Sequence, residues 1–251
     1  MKPIIEYFDR AYIINLSDRT DRRRQAEQEF RRVGISIPND KVRFFNAVRP
    51  SDKGGFQDIG TRGCFNSHRS ILEIANQENL RNILIFEDDV SFRSISATFE
   101  RHLMAQLSDE DWDVVFFGYS MPSDEFLTGP LMRWPNDIRS THFYGVNRRF
   151  IRRMLQYMND CELRPRDHPD GGPMPADGVY NHVRYVFRDI NLLLAVPNLA
   201  YQRSSRTDIA QAHFLDRIVW LGPILRGVRA IKHRGRMVLD SNKLRRRMKR
   251  S

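Results

Sequence analysis

The stretch that most constrains this chain is I-L-I-F-E-D-D, where four apolar residues, Ile83 to Phe86, run directly into three carboxylates, Glu87, Asp88 and Asp89. An apolar run of that length without alternation suits a strand buried on both faces, as in a parallel sheet covered by helices. The acids would then stand at the strand's carboxyl end, where ligands gather in open α/β sheets. Like charges packed so closely repel, and a hard divalent cation, Mg²⁺ or Mn²⁺, is the simplest remedy, since it takes oxygen ligands and bridges carboxylate to phosphate. On an extended backbone Glu87 and Asp89 share one face and Asp88 takes the other. Asp89 is therefore the first expected metal ligand, with Glu87 or Asp88 assisting. A solvated acidic turn is the competing reading of the triplet alone.

Strand and helix signals flank this run. Ala11 to Leu16 reads as a first strand, and Ser17 or Asp18 can cap a helix reaching about Val33 before Gly34. Its apolar stripe is Ala26, Phe30 and Val33, and helical spacing carries that stripe back to Arg22 and Arg19. Two arginines at a helix start just after a strand suit a phosphate. Pairing of both with Asp18, Asp21 or other acids is the alternative. Val42 to Asn46 is a second strand, and the Gly-rich segment up to Gly63 reads as a long loop bordering the site. From Cys64 to about Gln77 the spacing predicts a helix with Cys64, His68, Ile71 and Ala75 on one face. His68 thus lies on a buried stripe, where hydrogen-bonded core histidines are common. The order strand, helix, strand implies parallel pairing.

Further on, the pattern gives a helix over 97–107, a strand over Asp113 to Phe117, a loop from Ser120 to Ser140, a strand over Thr141 to Val146 and a helix over Asn147 to Met158. Asp111 and Asp113 precede their strand and so stand at the wrong end for chemistry. After a Pro- and Gly-rich loop, P-A-D places Asp177 at the start of a short helix, where a plain N-cap is the simple reading. Asn191 to Val196 is the last strand expected, and the chain then returns to polar residues ending in Asp208.

Taken in order, these segments resemble glycosyltransferase family 25, the lipopolysaccharide glycosyltransferases and their procollagen galactosyltransferase relatives. I-N-L-S-D-R-T-D-R-R is similar to the family's opening motif, with Asn15, Leu16, Arg19, Asp21 and Arg22 in matching places. T-R-G-C-F-N-S-H-R-S-I-L resembles its glycine, cysteine and Ser-His signature through Gly63, Cys64, Ser67 and His68. I-L-I-F-E-D-D-V-S-F resembles its acidic motif, and D-W-D-V-V-F-F-G-Y, T-H-F-Y-G-V, P-A-D and R-T-D-I follow in the family's order. The chain departs from the pattern at Thr61 and Arg62, where an acid often precedes the Gly-Cys pair, and at Thr207, where serine is usual.

The resemblance implies a GT-A-like α/β domain over residues 1–210, with a central, mostly parallel sheet flanked by helices. It also implies a nucleotide-sugar donor, UDP-galactose being the family's commonest, a divalent metal, and transfer with inversion to a hydroxyl of a lipopolysaccharide or other glycan or glycolipid acceptor. Asn15, Arg19, Arg22, Ser67 and His68 are then the residues expected at the donor, and Asp89, Glu87 and Asp88 those at the metal. An inverting transfer needs a general base; Asp177 is the first candidate and Asp208 the second, with metal or donor-sugar binding open to either.

The remaining 41 residues differ in kind. Residues 211–251 hold 12 Lys plus Arg against two acids, so the whole formal excess of +10 lies there. Phe214, Leu215, Ile218, Leu221, Leu225 and Val228 fall near one helical face within this basic segment. That pattern suits a helix lying on an anionic membrane surface, each basic residue adding about 1 kcal/mol. Packing on the chain's own domain is the alternative, and no nucleic-acid module is recognisable. Two distant cysteines, no apolar run of about 18 residues and no signal-like N-terminus lead to the expectation of a cytoplasmic enzyme, peripheral on the membrane's inner face.

Overall fold

The computed structural model describes residues 1–120 and 129–203. Asp208, Thr207 and the basic segment 211–251 lie outside them, as does part of the second expected loop. The helices are α1 (Lys2–Tyr7), α2 (Thr20–Arg32), α3 (Ile59–Gln77), α4 (Ala97–Asp109), α5 (Arg148–Leu163) and α6 (Ala176–Val186). The strands are β1 (Arg10–Asn15), β2 (Val42–Asn46), β3 (Asn82–Glu87), β4 (Val90–Phe92), β5 (Val114–Ser120), β6 (Leu131–Arg133), β7 (Arg139–Asn147), β8 (Leu192–Ala195) and β9 (Ala200–Gln202).

The sheet runs β2-β1-β3-β7-β5-β8-β6, with β9 bridging β4 and β5. β1 pairs in parallel with β2 and β3, and β5 with β8, so most strands point one way. β7 is antiparallel between β3 and β5. The ring of Phe143 on β7 stacks on Phe86 of β3 at 4.5 Å. Gly145, on the same strand, leaves room for Phe8: a Cβ there would stand 2.6 Å from that ring.

Strand parity divides the core into two layers. Ile83 and Ile85 of β3, with Tyr12 and Tyr144, face α3, α5 and α6 through Phe65, Leu72, Phe150, Met154 and Tyr180. Leu84 and Phe86, with Ile13 and Phe143, face α1, α2 and α4 through Ile4, Phe30, Leu103 and Leu107. The uninterrupted apolar run of β3 is the direct consequence of this cover on both faces. Glu87 continues the parity of Ile83 and Ile85 and so stands on the α3 side.

Several boundaries differ from the sequence reading. α3 starts at Ile59 rather than Cys64, because the Asp58 side chain accepts the Thr61 N–H at 2.7 Å and caps it. The glycines of that first turn give loop composition without loop structure. α2 has neither Ser17 nor Asp18 as its cap; Arg19 holds that position, with no side-chain cap bond. α5 extends to Leu163, a short strand, β6, lies inside the second expected loop, and β9 lies in the segment read as a polar return. Asp113 does stand at the far end of its strand, bonded to Arg149 and to the Asn191 N–H.

Candidate active site

β1, β2 and β3 end together, and a cavity of about 520 Å³ opens beyond them. Ile14 and Leu16 from β1 and its exit, Val48 and Pro50 from the loop after β2, and Ile59 from α3 give it apolar walls. Arg22, Glu87, Asp88, Cys64, Ser67 and His68 supply its polar groups. A mostly apolar cleft with a few convergent polar groups at the carboxyl ends of parallel strands is the usual form of a small-molecule site in such folds.

The acidic turn is held on three sides. β3 stops at Glu87, and Asp88 and Asp89 turn the chain into β4. Strand alternation therefore ends at Glu87 and no longer assigns Asp89 a face. Glu87 and Asp88 line the cavity; Asp89 does not. Asn15 donates to Asp88 Oδ2 at 2.7 Å, and Arg22 donates to Asp88 Oδ1 at 3.0 Å and to Asp89 Oδ2 at 3.5 Å. Arg203 grips the turn from behind, through its N–H on the Asp89 carbonyl and its guanidinium on the carbonyls of Asp88 and Val90, each at 2.8 Å.

The two arginines of the first helical turn part company. Arg22 reaches the cavity, whereas Arg19 turns outward and forms a two-pronged pair with Asp21, at 3.0 and 2.9 Å. That bond holds the Asp21 carboxyl down at about 2. Helical spacing misplaces Arg19 because, as the N-cap, it does not have helical backbone angles. Ser67 ties the site together instead of facing a ligand alone: its Oγ accepts the Val48 N–H at 2.8 Å and donates to the Gly63 carbonyl at 2.7 Å. Gly63 makes that approach possible, since a Cβ would stand 2.7 Å from the Val48 oxygen.

Asp177 does not line the cavity; it is the second residue of α6, after Pro175 as cap, so the simple N-cap reading does not hold. Its Oδ2 accepts the Ser140 N–H at 3.2 Å and its Oδ1 the Gly178 N–H at 2.8 Å. Ser140 has φ +71°, a strained angle for a serine and one that often marks a functional site. Its hydroxyl lies 2.8 Å from Gln202 Oε1 and 2.7 Å from His142 Nδ1, and Gln202 Nε2 donates to Glu87 Oε2 at 2.7 Å. A continuous chain of bonds thus joins Asp177 to Glu87. Burial, and then the charges of Asp89 and Asp88, push the Glu87 carboxyl up to about 8. Cys64 opens onto the cavity yet is hemmed in by protein. That desolvation, followed by the charges of Glu87 and Asp177, raises its thiol well above the ordinary range. Gln202, Arg203 and Ser140 were not singled out from the sequence. The polar A-Y-Q-R run after the last expected strand was the available signal.

Among the described residues no group of three or more His, Cys, Asp or Glu side chains forms a metal cage. The turn offers less: Glu87 and Asp88 on the cavity wall, each accepting hydrogen bonds. A carboxylate oxygen keeps a lone pair beside one such bond. Mg²⁺-type cations are commonly held by one or two carboxylates together with substrate phosphates and water. The donor set fits that partial role for Asp88 and Glu87, while Asp89, the first ligand expected from the sequence, stands off the cavity wall and shares Arg22 with Asp88.

Residues 59–168 match glycosyltransferase family 25, described as an LPS biosynthesis protein. The chain is similar to that family. It is 29% identical over 154 residues to a glycosyltransferase 25 family member of Drosophila pseudoobscura pseudoobscura, covering 49% of the chain and 25% of that protein. It is 29% identical over 132 residues to procollagen galactosyltransferase 1-B of Xenopus laevis, covering 44% and 21%. The chain spans a quarter or less of the length of these relatives. The name of another matched relative, from Homo sapiens, calls it an inactive family member. Among solved structures, a glycosyltransferase involved in glycosylation of the major capsid of PBCV-1 aligns over 79% of the chain and 96% of its own, at 14% identity and a TM-score of 0.48. The matched stretch contains α3, the acidic turn and β7, and so most of the cavity's polar wall.

Proposed function

We propose that the chain transfers a hexosyl group, galactose first among candidates, from a UDP-sugar to a hydroxyl of a lipopolysaccharide or other surface-glycan acceptor, with inversion. The observation that carries this reading is the cavity itself, where Arg22 and the acidic turn stand beside apolar walls able to take a nucleoside. In the transfer, the acceptor oxygen bonds to the anomeric carbon as the bond from that carbon to the diphosphate oxygen breaks. The acceptor's proton passes to a carboxylate. Asp177, with Asp208 as the alternative, is the base in this reading; Ser140 and Gly178 fix its orientation. The leaving diphosphate gathers negative charge, and Arg22 supplies a positive donor for it. A divalent cation held by Asp88 and Glu87 would add charge neutralisation there. Docking of the basic 211–251 segment on an anionic membrane, from the cytoplasmic side, belongs to the same proposal.

The test is a panel of sugar nucleotides in a thermal-shift assay with and without Mn²⁺, because a ligand stabilises the fold according to its affinity. A shift with a UDP-hexose that grows with Mn²⁺ is expected, together with slow donor hydrolysis that Asp88→Asn abolishes. The inactive human relative favours a second reading, a transferase-like adaptor without turnover. Donor binding with no hydrolysis or transfer under any condition would select it.

A further inference from the structure

His68 carries a buried polar atom outside the hydrogen-bond networks of the acidic turn and of Asp177. The residue is 1% exposed and lines the cavity. Its Nδ1 lies 2.7 Å from the Tyr144 hydroxyl, and Tyr144 in turn lies 3.0 Å from the Tyr180 hydroxyl. Its Nε2 is buried and has no hydrogen-bond partner among the described residues. Tyr144 and Tyr180 are also buried, at 0% and 1% exposure.

Counting protons along this chain fixes the tautomer. If Tyr180 donates to Tyr144 and Tyr144 to His68 Nδ1, both phenol protons are bonded inside the core, and the imidazole proton sits on Nε2. In the opposite direction Nδ1 donates to Tyr144 and Tyr144 to Tyr180, whose own proton is left in the core with no acceptor among the described residues. The first direction leaves one buried group unpartnered, the Nε2 N–H, whereas the opposite one leaves two, the Nε2 lone pair and the Tyr180 proton, so the first prevails. Because His68 lines the cavity, a ligand bound there is the partner open to that N–H, and the described residues of the core offer none. Burial also pushes the imidazole down to about 4, so at neutral pH it carries one proton.

We infer that the Tyr180–Tyr144 pair makes His68 an obligate hydrogen-bond donor that selects the 4-carbonyl oxygen of a uracil base in the donor nucleotide. The inference rests on the proposed use of a UDP-sugar and names the part of that substrate His68 reads. The neutral ring suits a neutral acceptor, and the charged diphosphate has Arg22. The apolar walls formed by Ile14, Leu16, Val48, Pro50 and Ile59 suit a flat base. A donor-only nitrogen donates to uracil's 4-carbonyl and rejects cytosine's 4-amino group at the same place, because that group brings a second donor and no available lone pair.

Two measurements on the full chain test this. Long-range ¹H–¹⁵N spectra of the free protein read the tautomer directly. The expected species is protonated on Nε2, and Tyr144→Phe removes the preference. A ring protonated on Nδ1 in the wild-type protein overturns the inference, whatever binds. Calorimetric titration with UDP and CDP reads the selectivity. UDP is expected to bind about tenfold more tightly, the scale of one hydrogen bond between neutral groups. His68→Leu abolishes that ratio, and His68→Gln, which keeps an N–H, restores part of it. An unchanged ratio in a folded His68→Leu protein overturns the assignment while leaving the UDP-sugar reading intact. Absence of binding by either nucleotide overturns both.

Discussion

Stability should peak near pH 6.5 and fall on both sides, because buried groups with opposite preferences titrate across that range. His68 and His142 are buried, and desolvation lowers each imidazole from 6.5 to about 4. As the pH drops below 6.5, the unfolded chain takes up two protons that the folded chain refuses until about pH 4. Each histidine then removes about 1.4 kcal/mol of stability per pH unit, or about 3 kcal/mol in all. Glu87 acts the other way. Its carboxyl, raised from 4.5 to about 8, keeps a proton in the folded state that the unfolded chain releases above 4.5. It therefore costs about 1.4 kcal/mol per unit as the pH rises from 4.5 to 8. Acidification from pH 8 should accordingly raise stability by about 2 kcal/mol down to 6.5, and further acidification should lower it by about 1.4 kcal/mol per unit. Urea unfolding followed by circular dichroism at half-unit steps, with a chelator present so that no cation holds Glu87 ionised, gives the profile. Replacing either histidine by glutamine should convert the acid limb above pH 4.5 into a plateau, and Glu87→Gln should flatten the alkaline limb. A monotonic rise in stability from pH 5 to 8 would refute the reasoning.

Three further outcomes follow from the geometry. Gly145→Ala forces a Cβ to within 2.6 Å of the Phe8 ring and 3.1 Å of Val115, and should cost about 1–3 kcal/mol in a urea titration. Arg22→Met removes the donor on Asp88 and the positive charge at the cavity; UDP affinity should drop by about tenfold to a hundredfold, the scale of a hydrogen bond to a charged group, while UMP loses less. Asp177→Asn should lower kcat by about a hundredfold or more with KM for the donor little changed, as expected of a base that meets only the acceptor's proton; an equal loss in donor affinity would instead place Asp177 at the sugar.

What the sequence made legible was whatever depends on local periodicity. The unbroken run of Ile83 to Phe86 does mark the strand covered on both faces, β2 and β3 do run parallel as the helix between them implies, although β1 separates them in the sheet, and Arg22 falls on the inward stripe. Long-range bonds were not legible. Nothing in the spacing shows that Gln202 reaches Glu87, 115 residues away, or that Arg203 closes on the carbonyls of the acidic turn. Equally hidden was the insertion of β7 antiparallel between β3 and β5, since the T-H-F-Y-G-V segment reads as a strand without revealing its direction.

The acidic triplet shows where periodic reasoning stops. Alternation assigns faces only while the backbone stays extended, and here the extended backbone ends at Glu87. One residue later the turn has brought Asp88 to the cavity wall, between Asn15 from β1 and Arg22 from α2. Each carboxylate is then defined by what turns toward it. Asp88 meets two donors and lies beside the expected diphosphate. Glu87 meets Gln202 and Thr141 in a desolvated place that favours its neutral form. If a cation binds at this turn, it must deprotonate Glu87 or leave it aside. Cation affinity should therefore rise with pH up to about 8 in the wild-type protein. A Glu87→Gln variant with unchanged affinity and no such pH dependence would leave Asp88 as the carboxylate that matters.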